Sequence, residues 1–222
     1  QSLQFGTTTL YVSPGERNLI AGYGVVIKPV GKTASDMIVR DEAALHLTLG
    51  SASTRGNRMP RYGRPESFYY RRPTTRMAVA WMLRKSFFDA RQPDGQPSQE
   101  DPAMEVLRAA ARGDMPIRVT VRRAIDIRTA FRIADEYSLQ IILDECTEGY
   151  KVPELIAEKQ APVVLGPFYF YPGGAAQFSE GREVNWNNAG ILAEAGVKVA
   201  LASGSEPPES GLLTTAVFAA RN

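Results

Sequence analysis

The chain has one cysteine and one histidine in 222 residues, and these two scarcities exclude a good deal. A lone cysteine, Cys146, cannot form an internal disulfide or a C-x-x-C metal site, and it leaves the redox compartment open. Because His46 is the only histidine, no H-x-H or H-E-x-x-H metal motif exists, and a Ser-His-Asp triad would have to be built around that single ring. Excess charge of one sign is also missing. Lys and Arg number 26 against 24 Asp and Glu, a net +2 that is too small for bulk attraction to nucleic acid or to an acidic membrane. No apolar run approaches a membrane span, and the first residues lack the basic-then-apolar layout of a signal peptide, so a soluble chain is expected. Gly22-Tyr23-Gly24 and Gly173-Gly174 are glycine-rich but have no lysine in P-loop spacing, which makes turn geometry the better account of them.

What is present is the composition of a globular protein. With 44% hydrophobic and 23% charged residues, the chain can bury a substantial core, and we expect a single domain over 1–222 with a basic loop at 51–76. Short β-branched apolar runs predict strands at 7–13, 24–29, 44–50, 117–122, 139–145, 162–166 and 197–203. Helical periodicity predicts helices at 74–91, 101–112, 126–137 and 185–195. In the 126–137 segment Ile127, Ala130, Phe131, Ile133, Ala134 and Tyr137 fall on one face, and Arg128, Arg132, Asp135 and Glu136 on the other. From residue 116 on, strand and helix alternate, which predicts parallel strands joined by crossovers and leaves a doubly wound sheet and a (β/α) barrel both open.

Two motifs narrow the choice. Ile117-Arg118-Val119-Thr120-Val121-Arg122-Arg123-Ala124-Ile125-Asp126-Ile127 is followed by Leu143-Asp144-Glu145-Cys146-Thr147-Glu148-Gly149-Tyr150. Together they resemble the amidohydrolase superfamily, in its imidazolonepropionase-like group, where the corresponding segments read roughly R-V-H-A-H-R-A-D-D-I and L-E-H-x-T-E-G-Y. Phe5-Gly6-Thr7-Thr8-Thr9-Leu10-Tyr11-Val12, Ser13-Pro14-Gly15 with Asn18-Leu19-Ile20-Ala21-Gly22, and Ala43-Ala44-Leu45-His46-Leu47-Thr48-Leu49-Gly50 extend the resemblance along nearly the whole chain. It implies an α/β fold, a (β/α) TIM-type barrel of the metal-dependent hydrolase kind. The barrel would be incomplete, because the family's first strand, with its paired histidines, and its β-sandwich segments are missing.

The resemblance also implies a degenerate metal site. The family's metal-binding histidines fall on Thr120 and Glu145, its last-strand aspartate on Gly204, and a possible bridging lysine on His46. Hydrolysis by such a site needs a metal to acidify a bound water and an open coordination position. With those ligands changed together, no cofactor is expected, unless zinc or manganese is held by a site completed from another chain. Arg122 and Arg123 at a strand end could hold a carboxylate or phosphate, or could be neutralised by Asp144, Glu145 or Glu148. Glu148 and Tyr150 match the T-E-G-Y motif and are candidates to hold the loop or line the mouth.

The loop at 51–76 interleaves arginines with aromatics, including Arg61, Arg64, Tyr69, Tyr70, Arg71 and Arg72. A protein interface, a groove for an anionic polymer and a solvated loop all fit this pattern, and the near-neutral remainder of the chain favours protein over nucleic acid. The reading is therefore a barrel that has lost its metal ligands and serves in binding or assembly. Another polypeptide segment or chain is expected to close the barrel along 197–203 or 7–12. The alternatives are a metal-dependent hydrolase of amide or lactam bonds completed from outside this chain, and an anionic-polymer binder.

Overall fold

The structure, a computed structural model, describes residues 6–54, 57, 72–92, 102–166, 183–203 and 212–221. Seven strands form one sheet in chain order: β1 (Leu10–Val12), β2 (Ile20–Ile27), β3 (Ile38–Thr48), β4 (Ile117–Val121), β5 (Ile141–Glu145), β6 (Val163–Leu165) and β7 (Val199–Leu201). The first two pairings are antiparallel and the remaining four are parallel.

This sheet corrects the expectation of an incomplete (β/α) TIM-type barrel. It is mixed and open: among the described residues β1 pairs with β2 alone and β7 with β6 alone. The reason lies in the connections. A parallel neighbour needs a crossover of a dozen or more residues, usually helical. Segments 13–19 and 28–37 are too short for that, and the second contains only the single turn α1 (Ala34–Met37), capped by Thr33 and Asp36. Strands β1 to β3 therefore fold back on one another as a meander, and strand-helix alternation starts only at β3.

Helices α2 (Arg76–Arg91), α3 (Pro102–Arg112), α4 (Ala124–Tyr137), α5 (Pro153–Glu158), α6 (Asn188–Glu194) and α7 (Leu212–Arg221) complete the fold. Side chains alternate across a strand, so β3, β4 and β5 each present odd-numbered residues to one side and even-numbered residues to the other. The odd side carries Leu45, Leu47, Ile117, Val119, Val121, Ile141 and Leu143. These pack in one core with Val79, Leu83 and Phe87 of α2 and Ile127, Ala130, Phe131 and Ala134 of α4. Residues such as Leu45, Phe87, Ile117, Ile127 and Leu143 are fully buried there, each worth about 1.5–3 kcal/mol relative to exposure.

The even side is polar: His46, Thr48, Arg118, Thr120, Arg122 and Asp144, all but Arg118 buried and Arg118 largely so. It is covered by the N-terminal hairpin. The Tyr11 ring of β1 lies 3.9 Å from the Arg118 guanidinium of β4, and Glu16, between β1 and β2, pairs with Arg122. In a flat sheet β1 and β4 would stand about 14 Å apart, so the hairpin must curl over the inner face. Gly24 permits the crossing: a Cβ there would sit 2.0 Å from the Tyr11 hydroxyl.

Candidate functional site

The in-register pairing of parallel strands assembles the inner face. His46 aligns with Arg118, Thr48 with Thr120, and Thr120 with Asp144, so even-numbered polar residues of three neighbouring strands fall side by side. His46 Nε2 and Thr120 Oγ1 share a hydrogen bond of 2.8 Å. On the other side of the ring, Nδ1 stands 3.9 Å from Asp144 Oδ2, an electrostatic contact too long for a hydrogen bond. Arg118 grips Asp144 through Nε, at 2.8 and 3.1 Å from the two carboxylate oxygens, and also through its terminal nitrogen. A row thus runs from Thr120 through His46 and Asp144 to Arg118 and Tyr11.

Burial pushes the His46 imidazole below its ordinary value, Asp144 acting in the opposite direction, so the ring is held neutral at physiological pH. Tyr11 is raised, chiefly by burial. The order hydroxyl, imidazole, carboxylate resembles a nucleophilic triad, but its parts are committed elsewhere. Thr120 is 3% exposed, the histidine does not hydrogen-bond the aspartate, and the aspartate is neutralised by a guanidinium.

A second cluster sits one residue further along the strands. Arg122 donates to Glu145 Oε1 at 2.9 Å and also bonds Glu16, so one guanidinium serves two carboxylates. Burial, with Glu16 and Asp144 adding to it and Arg122 opposing, pushes the Glu145 carboxyl up to about 7. Its backbone is unusual as well. Glu145 and Cys146 have φ of 66° and 42°, two consecutive non-glycine residues in the left-handed region, each costing roughly 1–2 kcal/mol.

Surrounding bonds hold that bend in place. The Cys146 amide donates to the Val121 carbonyl at 2.8 Å and the Glu148 amide to the Arg122 carbonyl at 2.8 Å. Asn188 donates its side-chain amide to the carbonyls of Cys146 and Thr147. The buried Glu148 carboxylate accepts from the Ala124 amide at 3.0 Å and so does the work of an N-cap for α4, whose own cap residue, Arg123, makes no side-chain cap bond. Gly149 is needed for close approach: a Cβ there would lie 2.8 Å from Cys146 Sγ. Tyr150 donates to the Glu183 carbonyl at 3.2 Å. Cys146 itself is buried, its thiol pushed up to about 12, and is unreactive as a nucleophile.

The structure therefore pairs His46 with Thr120 and Arg122 with Glu145, sets Glu148 on the Ala124 amide, and leaves Arg123 exposed at the start of α4. Tyr150 pairs on the loop side. Gly204, Arg61, Arg64, Tyr69, Tyr70 and Arg71 lie outside the described residues, while Arg72 is exposed. Sequence reasoning missed Arg118, Tyr11 and Glu16, and it named Asp144 only as a partner for Arg122 or Arg123. The signal for Arg118 was available: Arg118, Thr120 and Arg122 alternate with apolar residues in a strand that otherwise reads as core.

A divalent metal does not fit this donor set. Among the described residues no group of three or more His, Cys, Asp or Glu side chains converges on a common point. Most of the nearest donors are engaged, His46 Nε2 by a hydroxyl, Asp144 by Arg118 and Glu145 by Arg122, and His46 Nδ1 is the one imidazole nitrogen without a hydrogen-bond partner among the described residues. A cation placed there would meet two guanidiniums.

No helix among the described residues is long and apolar enough to cross a membrane. No family model matches the chain, and no curated protein does. Among solved structures, the chain is similar to the crystal structure of an amidohydrolase from Thermotoga maritima MSB8, with 28% identity and a TM-score of 0.82 over 99% of this chain and 57% of that one. The chain thus has an amidohydrolase-type hydrolase fold along essentially its whole length while spanning little more than half the length of that relative.

Proposed function

We propose that this chain is an amidohydrolase-like module of the imidazolonepropionase-like kind whose metal site is degenerate, and that it serves in binding or assembly and not in catalysis. One observation carries the reading. The two positions matched to metal-binding histidines are engaged within the chain, Thr120 by His46 and Glu145 by Arg122. A metal-activated water needs several free carboxylate or imidazole ligands and an open coordination position, whereas Thr120 offers only a hydroxyl and the Glu145 carboxylate is held by Arg122. Among the described residues β7 pairs with β6 alone, and the edge this leaves carries backbone groups that proteins ordinarily cover. Another polypeptide segment lying along that edge is the partner this reading calls for.

The rival reading is a metal-dependent hydrolase of C–N bonds, using zinc or manganese, whose site is completed by residues outside this chain. The name of the Thermotoga relative, an amidohydrolase, supports it, as does the partial coverage of that relative. Assay of the purified protein on amide and lactam substrates, with zinc or manganese added and then removed by a chelator, separates the two. The proposed reading expects no turnover above background under either condition. Chelator-sensitive hydrolysis would establish the rival.

A further inference from the structure

Helix α2 is apolar on two faces, and the core uses only one of them. Val79, Leu83, Phe87 and Ala90 point inward and are buried. On the opposite side Met77 is 80% exposed, Trp81 61% and Phe88 57%, three large apolar side chains that take no part in the core. With Lys85 between Trp81 and Phe88 they recur three or four residues apart, so they form one line along about 16 Å of helix surface. Single exposed apolar residues are ordinary, but a line of Met, Trp and Phe has the composition of the centre of a protein interface. The cations of this face are balanced within the chain, Lys85 by Asp89 at 2.6 Å and Arg84 by Glu136. Such a surface has little pull on a nucleic acid or an acidic membrane, and it suits another apolar helix face.

We propose that this stripe is a self-association surface on which α2 of a second copy of this chain lies antiparallel, Trp81 facing the partner's Lys85 and Met77 facing the partner's Phe88. The symmetry of the stripe supports that choice of partner. A two-fold contact requires that where residue i meets residue j, j also meets i. The midpoint of Trp81 and Lys85 is residue 83, and that of Met77 and Phe88 falls between residues 82 and 83, so one axis near the middle of the helix serves both pairs. Each pair is chemically matched as well, an ammonium over the face of an indole and a thioether against an aromatic ring. A parallel arrangement would instead set Lys85 against its own copy, like charge on like. This surface is distinct from the β7 edge, and the inference holds whether or not the inner face takes up a metal.

The test is sedimentation and light scattering over a range of protein concentrations, on the wild type and on variants at these exposed positions. The wild type should form a dimer that dissociates on dilution. Trp81→Lys removes the indole and sets an ammonium against the partner's Lys85, and the dissociation constant should rise by about tenfold or more. Combining it with Lys85→Glu puts a carboxylate opposite each new lysine and should recover part of that loss. Dilute Trp81→Lys should melt where the dilute wild type does, because the side chain is exposed in the single chain. A wild type that stays monomeric at every concentration overturns the proposal. So does a dimer indifferent to Trp81→Lys, which would use another surface such as the β7 edge, and so does a failure of the double variant to recover association. A Trp81→Lys variant that melts early when dilute, or does not fold, would show the stripe to be covered within its own chain and overturns the proposal too. The metal content of the same samples bears only on the reading above, so the two can fail separately.

Discussion

The two sides of β3, β4 and β5 are built from alternate residues of the same strands, yet they are held together by different physics. The outer side is Leu, Ile and Val against Phe87, Leu83, Ile127 and Phe131, non-directional burial in which any close-packed apolar shape would serve. On the inner side are hydroxyls, one imidazole, two arginines and their carboxylates, buried almost as deeply, so that each group needs a specific partner at a specific angle. A fold retained only for its packing would be free to make its inner side apolar as well. This one has kept polar residues there and paired several of them with one another, Thr120 with His46, Asp144 with Arg118 and Glu145 with Arg122.

The largest effect should come from breaking the outer side. Phe87→Ala leaves a cavity between α2 and the sheet and should cost about 3–5 kcal/mol in urea unfolding, with the inner-face pairs unaffected. On the inner side, Arg122→Met strands Glu16 and Glu145 without their cation and should cost about 3 kcal/mol at alkaline pH. The cost should shrink in mild acid, where Glu145 takes a proton, whereas that of Phe87→Ala should stay the same. A cost equally independent of pH for both would show that Arg122 acts through packing alone. Thr120→Val is smaller: nearly isosteric, it leaves His46 Nε2 unpaired, and about 1–2 kcal/mol should be lost.

The subtlest contrast is in pH dependence. The Glu145 carboxyl is raised from its ordinary value to about 7, so the folded state holds a proton that the unfolded state releases. Its contribution to stability is complete below the ordinary carboxylate range and is lost as the pH climbs to about 7. His46, whose value is lowered by burial, acts oppositely: its contribution is complete above the ordinary histidine value and is lost as the pH falls through the folded one. Glu145→Gln removes only the first of these. The melting temperature of that variant relative to wild type should therefore rise steadily between about pH 5 and about pH 8, and a constant difference would show that Glu145 does not titrate there.

The outer side was legible in the sequence because apolar periodicity states directly which residues are buried. The 126–137 face predicted for α4 is the face that packs, and the strand predicted at 117–122 is β4 within a residue. The barrel was not legible as expected: motif resemblance carried the parallel alternation back into 7–50, where connection lengths allow only an antiparallel meander. Thr120, Glu145 and His46 were picked out by position in the motif, and in the structure Thr120 bonds His46 while Glu145 bonds Arg122. Their partners were harder to find, because a charge in a strand says nothing about which distant carboxylate answers it. Glu16 lies 106 residues from Arg122, and the two are joined by a hairpin curl that no local pattern encodes.

On the reading proposed above, the inner face holds its carboxylates with its own guanidiniums and takes up no metal. Equilibrating the wild-type protein with excess zinc or manganese, dialysing, and measuring bound metal together with melting temperature tests it most directly. Far less than one equivalent of metal should remain bound, with no change in melting temperature between metal-loaded and chelator-treated samples. Close to one equivalent of tightly held metal, with a melting temperature that drops when a chelator removes it, would show that the inner face is a working metal site.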